Sequence, residues 1–329
     1  MKKLLVSFLL ISFYITAYNQ VIRGTILDRN TKSKIDFATI YISGTYLGTH
    51  SDKDGNFELD ISKYASLPLT ISALGYYSVS LTKFSASDPN IIYLTPKVFE
   101  LGEVVIKDKS LKIKRKTNLK QFKIAVLGST PNAWQCEIIN ENDITFNYNS
   151  DKDTLKAFAS KPILIENRSL GYRITYFLDK FELYKRKQSI YFTGNIIFNE
   201  DLPNDKSQKQ LCEVRRKKAY LGSRMHFIRA LWSNTLDANG FAIKNSVNQE
   251  LYYNNIVIQE DSLIKCIRYS YKLGICYNST NPTSYIILNG KKACFDKNGY
   301  FDPSVLEWAG QMAKQRIADW LPYEYSVNK

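Results

Sequence analysis

Histidine is nearly missing from this chain: only His50 and His226 occur among 329 residues. A zinc peptidase site needs an H-x-x-E pair and a distant third ligand. His50 is followed by Ser51-Asp52-Lys53 and His226 by Phe227-Ile228-Arg229, so neither has glutamate at the required offset. No metal site and no cofactor is assigned. Cysteine is also sparse, with Cys136, Cys212, Cys266, Cys276 and Cys294 and no C-x-x-C pair. The odd count leaves at least one thiol unpaired in a monomer. Acids are outnumbered too, 31 against 45 lysines and arginines, for a formal charge of +14.

Long apolar runs are absent. The longest, Leu4 to Ile15, follows Lys2-Lys3 and is too short to span a bilayer, which takes about 20 apolar residues. A basic start, a short apolar stretch and a small or polar run from Thr16 to Gln20 make residues 1–20 a secretory signal peptide, cleaved between Ala17 and Val21. Export to the periplasm or outer-membrane periphery follows as the expected localisation. An exported basic protein does not routinely meet chromosomal DNA. Its charge points instead to an envelope protein or an anionic glycan or lipid, or serves only solubility.

The stretch "GTHSDKDGNFEL" has the acids of a calcium loop but not their spacing. Counted from Asp52, Gly55 comes two residues early for an EF-hand, and the twelfth position is Lys63 rather than a bidentate acid. Asp54-Gly55 between alternating strands is a hairpin signal instead. Ala38, Ile40 and Ile42 alternate with polar partners on one side, Phe57, Leu59 and Ile61 on the other. Asp52, Asp54 and Gly55 are therefore read as turn residues.

Around that turn a family pattern emerges. Gly24, Asp28, Ala38-Thr39-Ile40, Thr49, Asp52, Asp54-Gly55, Phe57 and Gly75-Tyr76 together resemble the carboxypeptidase-regulatory-like domain. That resemblance implies a transthyretin-like β-sandwich over residues 21–97, common in exported Bacteroidetes proteins and carrying no protease site. "VFELGEVVIKDK" resembles the junction after such modules in TonB-dependent receptors. Those receptors continue into a plug and a 22-stranded barrel, and the roughly 220 residues left show no serial alternation of barrel strands.

Residues 98–118 are read as a basic linker and 119–329 as an α+β domain. Helices are expected at "NLKQFKIAVLG" with Gly128 as its stop, from Ser223 to Asn239-Gly240, and from Asp302-Pro303 to Pro322. Strand-like runs lie between them, and "FDKNGYF" is a second hairpin turn. "ILIENRSLGYRITYFL", "RKKAYLGSRMHFIRAL" and "WLPYEY" resemble the region behind the same sandwich in many Bacteroidetes proteins, from which no activity transfers. Asp153-Thr154-Leu155 and Asp261-Ser262-Leu263 match a short O-glycosylation sequon, a weak sign of export.

Arg215, Arg216, Lys217, Lys218, Arg224 and Arg229 form the densest basic cluster of this half. Guanidinium groups bind phosphate and carboxylate in bidentate fashion, so these six are the anionic-ligand candidates; the competing reading is a solvated charged face. His226 lies beside Phe227 and Ile228, a packing position, and "GSRMH" is not a nucleophile elbow. No catalytic residue is assigned. The expectation is a multidomain, non-enzymatic envelope binding or assembly protein: an all-β sandwich followed by an α+β domain. A hydrolase of glycan or peptide hidden in the second half is the alternative.

Overall fold

The computed structural model describes residues 20–84, 89–97 and 109–327, with side chains from Lys114 onward in the helix that opens at Lys109. The expected signal peptide lies outside the described residues except for Gln20, as does the expected linker up to residue 108. Among the described residues no helix is long and apolar enough to cross a membrane.

The first unit is a β-sandwich. Alternation in "VIRGTILD" makes strand Val21–Asp28, whose Ile22 and Ile26 are fully buried. It runs antiparallel to Asn56–Asp60 and parallel to Asn90–Leu94. Gly24 allows that closeness, because a Cβ there would sit 2.4 Å from the Asn90 carbonyl oxygen. The second sheet has the order Gly48–His50, Thr39–Ile42, Leu69–Ser72, Val79–Leu81. Ile40, Ile42, Leu69 and Ile71 close the core against Ile22, Ile26 and Leu94, each side chain contributing roughly 1.5–3 kcal/mol by leaving water.

Strand Leu69–Ser72 is buried at all four positions and Thr39–Ile42 at three of four. A strand buried on both faces implies a further layer outside the sandwich. That layer is a six-stranded antiparallel sheet built on strand Tyr172–Tyr184. One edge of this long strand pairs along its length with Ser189–Glu200; the other pairs first with Ile163–Asn167, then with Thr154–Ala159. Tyr41 of the sandwich stacks on Phe177 of the long strand with ring centroids 5.0 Å apart. On the opposite face, helix Lys109–Leu127 buries Phe122, Val126 and Leu127 against Ile174, Tyr176 and Phe181. This helix begins nine residues before the anticipated start at Asn118 and takes in the last ten residues of the expected linker, 109–118. Arg115 ties it to the sheet by donating to the carbonyls of Glu141 and Ile144.

A third core surrounds helix Arg224–Trp232, packed by strands Phe241–Lys244, Leu273–Tyr277, Ser284–Leu288 and Leu306–Gly310. Ser223 caps that helix as expected, its Oγ accepting from the His226 amide at 3.1 Å, but the helix ends at Trp232 rather than at Asn239-Gly240, and Gly240 closes only the 3-10 turn Asp237–Asn239. The expected terminal helix from Asp302 to Pro322 is a correction. Leu306–Gly310 is a strand paired over five residues with Ser284–Leu288, followed by one helical turn, Gln311–Lys314, and a 3-10 turn, Ile317–Asp319. Tertiary pairing of an apolar run outweighs its helical spacing when an open strand edge lies beside it. Helix Lys206–Tyr220 was not anticipated as a helix at all. The overall class, an N-terminal all-β sandwich followed by an α+β region, is the one expected.

Candidate functional site

The sandwich is held to the rest of the chain by a short segment. Ser43, Gly44 and Thr45 lie along the open edge of strand Ser189–Glu200: Gly44 N–H donates to Ile196 O at 2.8 Å and Phe198 N–H to Thr45 O at 3.1 Å. This covers backbone groups that an edge strand otherwise leaves exposed. The closing segment "WLPYEY" holds the same loop from its other side. Tyr323 N–H donates to Gly44 O at 2.8 Å, and the Tyr46 amide donates to Glu324 Oε1 at 2.9 Å. A separate pin joins Ser66 Oγ to Asp296 Oδ2 at 2.7 Å.

Where the two facing sheets part beside this contact, an open cleft of about 490 Å³ remains. Thr39 and His50 line it from the sandwich, Thr175, Phe177 and Asn199 from the long sheet, and Tyr46 lies at its margin. The side chains of Thr39, His50, Thr175 and Asn199 make no hydrogen bond among the described residues, so their polar atoms are free for a ligand. None was singled out from sequence as a ligand-binding residue: His50 was weighed only as a zinc ligand and Thr39 only within the family pattern. The one available signal was the alternation of "YRITYFL", which sets Thr175 and Phe177 on the face opposite Ile174 and Tyr176.

Asp52, Asp54 and Gly55 form a turn, but not the expected hairpin: Gly48–His50 before it pairs with Thr39–Ile42 and Asn56–Asp60 after it with Val21–Asp28, so the turn carries the chain from one sheet of the sandwich to the other. Asp52 Oδ1 accepts from the Asp54 and Asn56 amides at 2.8 and 2.9 Å, and Gly55 takes φ +74°. Asp54 pairs with Lys34 Nζ at 2.8 Å. Among the described residues no group of three His, Cys, Asp or Glu is placed to hold a metal ion.

The basic cluster divides. Arg216 is buried over the Tyr172 ring; it donates to the carbonyls of Leu170 and Gly171 and to the carboxylates of Glu200 and Glu213. Arg229 donates to Asn298 O, Tyr325 O and Tyr323 O at 2.9, 2.7 and 2.9 Å. Arg224 lies over Trp320 and donates to Gln315 O; burial first and Arg316 second hold its guanidinium at about 10, below its usual range. Those three arginines serve the fold. Arg215 is half-buried, and Lys217 and Lys218 are exposed, with no side-chain partner among the described residues.

His226 is engaged on both ring nitrogens. Nδ1 accepts from the Gly222 amide at 3.1 Å, so the proton lies on Nε2 and is donated to Asn239 Oδ1, also at 3.1 Å. Tyr220, Phe241 and Tyr277 enclose the ring. Burial lowers its pKa, since the charged form loses water and would bring a second N–H against that of Gly222.

Comparison with known families decides the nature of the sandwich. Residues 22–106 match the CarboxypepD_reg-like domain. The match begins one residue after the boundary read at Val21 and runs nine residues past Lys97, beyond the described part of that segment. Within this CarboxypepD_reg-like domain, Asp28 explains its place in the motif: Oδ1 accepts from the Asn30 and Thr31 amides, and Oδ2 from the Tyr76 hydroxyl at 2.8 Å. These bonds hold the carboxyl below its ordinary range. No curated protein matches the chain. A 9R-lipoxygenase from Cyanothece PCC8801 is similar over 68% of this chain at 10% identity and a TM-score of 0.18, a likeness too slight to carry an argument. This chain covers 49% of that enzyme's chain, about half its length.

Proposed function

We propose that this chain is an exported, non-enzymatic binding or assembly protein of the periplasm or outer-membrane periphery, with the CarboxypepD_reg-like domain forming one wall of its receptor site. The observation that carries this reading is the cleft lined from both sides by unpartnered polar groups, on a junction held by backbone hydrogen bonds. A pocket that is already formed binds without the cost of ordering its walls. The partner is an envelope protein or an anionic glycan or lipid. Export is supported by the disulfide Cys266–Cys294 between paired strands, a bond that persists in oxidising compartments. The competing hydrolase loses its one singled-out histidine, because His226 has no free nitrogen.

Thr175→Trp fills the cleft from the sheet side. Wild-type protein incubated with native envelope fractions should retain a defined species that Thr175→Trp, folded to the same melting temperature, does not. Equal retention by both proteins overturns the reading. Steady turnover of an envelope glycan or peptide, abolished by Thr175→Trp, would replace it with the hydrolase.

A further inference from the structure

A second cavity, of about 630 Å³, opens where helix Lys206–Tyr220 ends. Lys217, Lys218, Val214 and Leu221 come to it from the helix and the residue that follows, and Tyr277 and Gln311 from the third core. No acidic residue lines it. Gly222 gives it depth: at φ +74° its missing Cβ would lie 2.7 Å from the Tyr277 ring.

Lysines in a last helical turn ordinarily serve the orphan carbonyls and the negative end of the helix. Three of the four last carbonyls are already taken. Lys217 O accepts from the Leu221 amide, Tyr220 O from the Ser223 amide, and Ala219 O from Gln315 Nε2 at 3.1 Å. The two ammonium groups are left facing solvent without an acid or a carbonyl to hold them.

Beside them stand apolar side chains that the fold does not bury. Val214 is 60% exposed, Leu211 43% and Leu221 40%. Cys212, Arg216 and Ala219 turn inward, so Leu211, Val214 and Lys218 share the outward stripe at i, i+3 and i+7. Arg215, Lys209 and Lys206 extend the positive charge along the helix, with Glu213 as the only acid in it. A surface that pairs unburied aliphatic groups with unpaired ammonium groups is complementary to a molecule carrying both an anion and a hydrocarbon chain.

We propose that this pocket binds an anionic amphiphile, with a phosphate or carboxylate headgroup on Lys217 and Lys218 and an aliphatic chain along Val214, Leu221 and Tyr277. The site is separate from the cleft, and neither reading depends on the other. Its ligand chemistry is shared by a lipid in a bilayer and by a free alkyl phosphate.

The full chain is sedimented with vesicles of equal parts phosphatidylcholine and phosphatidylglycerol, and with phosphatidylcholine alone; decyl phosphate and inorganic phosphate are titrated by calorimetry. Decyl phosphate should bind, and inorganic phosphate at least tenfold more weakly. Co-sedimentation with the mixed vesicles identifies a bilayer lipid as the source; decyl phosphate binding without it identifies a soluble amphiphile. The double variant Lys217→Gln/Lys218→Gln should lose affinity on the order of tenfold or more, each lysine near an anionic surface counting for several-fold. Lys152→Gln/Lys187→Gln removes the same charge from exposed positions elsewhere and should bind as wild type. Val214→Ser/Leu221→Ser should weaken decyl phosphate but not inorganic phosphate. Equal losses in both lysine pairs would reduce the effect to overall charge and overturn the proposal. Equal binding of decyl and inorganic phosphate, or no binding of either anionic probe, overturns it as well.

Discussion

Two turns of this molecule share nearly the same sequence and nearly the same backbone. "SDKDGNF" at 51–57 and "FDKNGYF" at 295–301 each place an aspartate whose Oδ1 accepts the amides two and four residues on. Each has its glycine in the left-handed region, at φ +74° for Gly55 and +94° for Gly299. Their surroundings differ. Asp52 is exposed, whereas Asp296 is 1% exposed. The second oxygen of Asp296 accepts from Asn298 Nδ2 and, across the junction, from Ser66. The Asn298 carbonyl is in turn held by Arg229. One local motif thus carries the chain between the two sheets of the sandwich at 51–57 and, at 295–301, pins the sandwich from the third core.

The comparison breaks most visibly at Arg229. Arg229→Met frees three carbonyls and loosens both Asn298 and the closing segment at Tyr323 and Tyr325, at a cost of roughly 3 kcal/mol or more. Urea unfolding should show that loss; a change under 1 kcal/mol would remove Arg229 from its anchoring role. Asp296→Ala should cost roughly 2–3 kcal/mol, because buried donors lose a charged acceptor. Asp52→Ala should cost about 1 kcal/mol, since water replaces the carboxylate at an exposed turn. If the two aspartates cost the same by chemical denaturation, burial does not separate them. Calcium should leave both melting temperatures unchanged; a saturable rise lost in Asp54→Ala would restore the metal reading of the first turn.

The pH dependence tests the third core alone. Burial, then Arg229 working against the Asn239 hydrogen bond, leaves the folded pKa of His226 below the unfolded value of about 6.5. The unfolded chain therefore takes up the proton first. The stability that neutral His226 contributes is complete above about pH 6.5 and is lost as pH falls through the folded value. Melting temperatures followed on acidification should decline less steeply in His226→Gln than in wild type; parallel curves would contradict the assignment. The smallest effect belongs to Lys34→Ala. Its ion pair with Asp54 is half exposed on both sides, and its loss should stay below about 1 kcal/mol in low salt and vanish in molar salt.

What the sequence by itself determined is local. Alternation specified the strands around 38–42 and 57–61, Asp-Lys-x-Gly specified both turns, Ser223 specified a helix start, and Gly128 specified a stop at φ +99°. These features depend on backbone sterics and on bonds within a few residues, so nearby sequence suffices to read them. The tertiary structure alone decided the rest. Leu306–Gly310 became a strand because the edge of Ser284–Leu288 was open beside it. Arg216 and Arg229 became clamps because carbonyls more than forty and ninety residues away converge on them. Lys217 and Lys218 stayed free of the helix end, where an amide from Gln315 and two from the following turn take three of the four last carbonyls. A side chain's partner depends on what the fold brings within about 3 Å of it. No spacing within the chain encodes that distance.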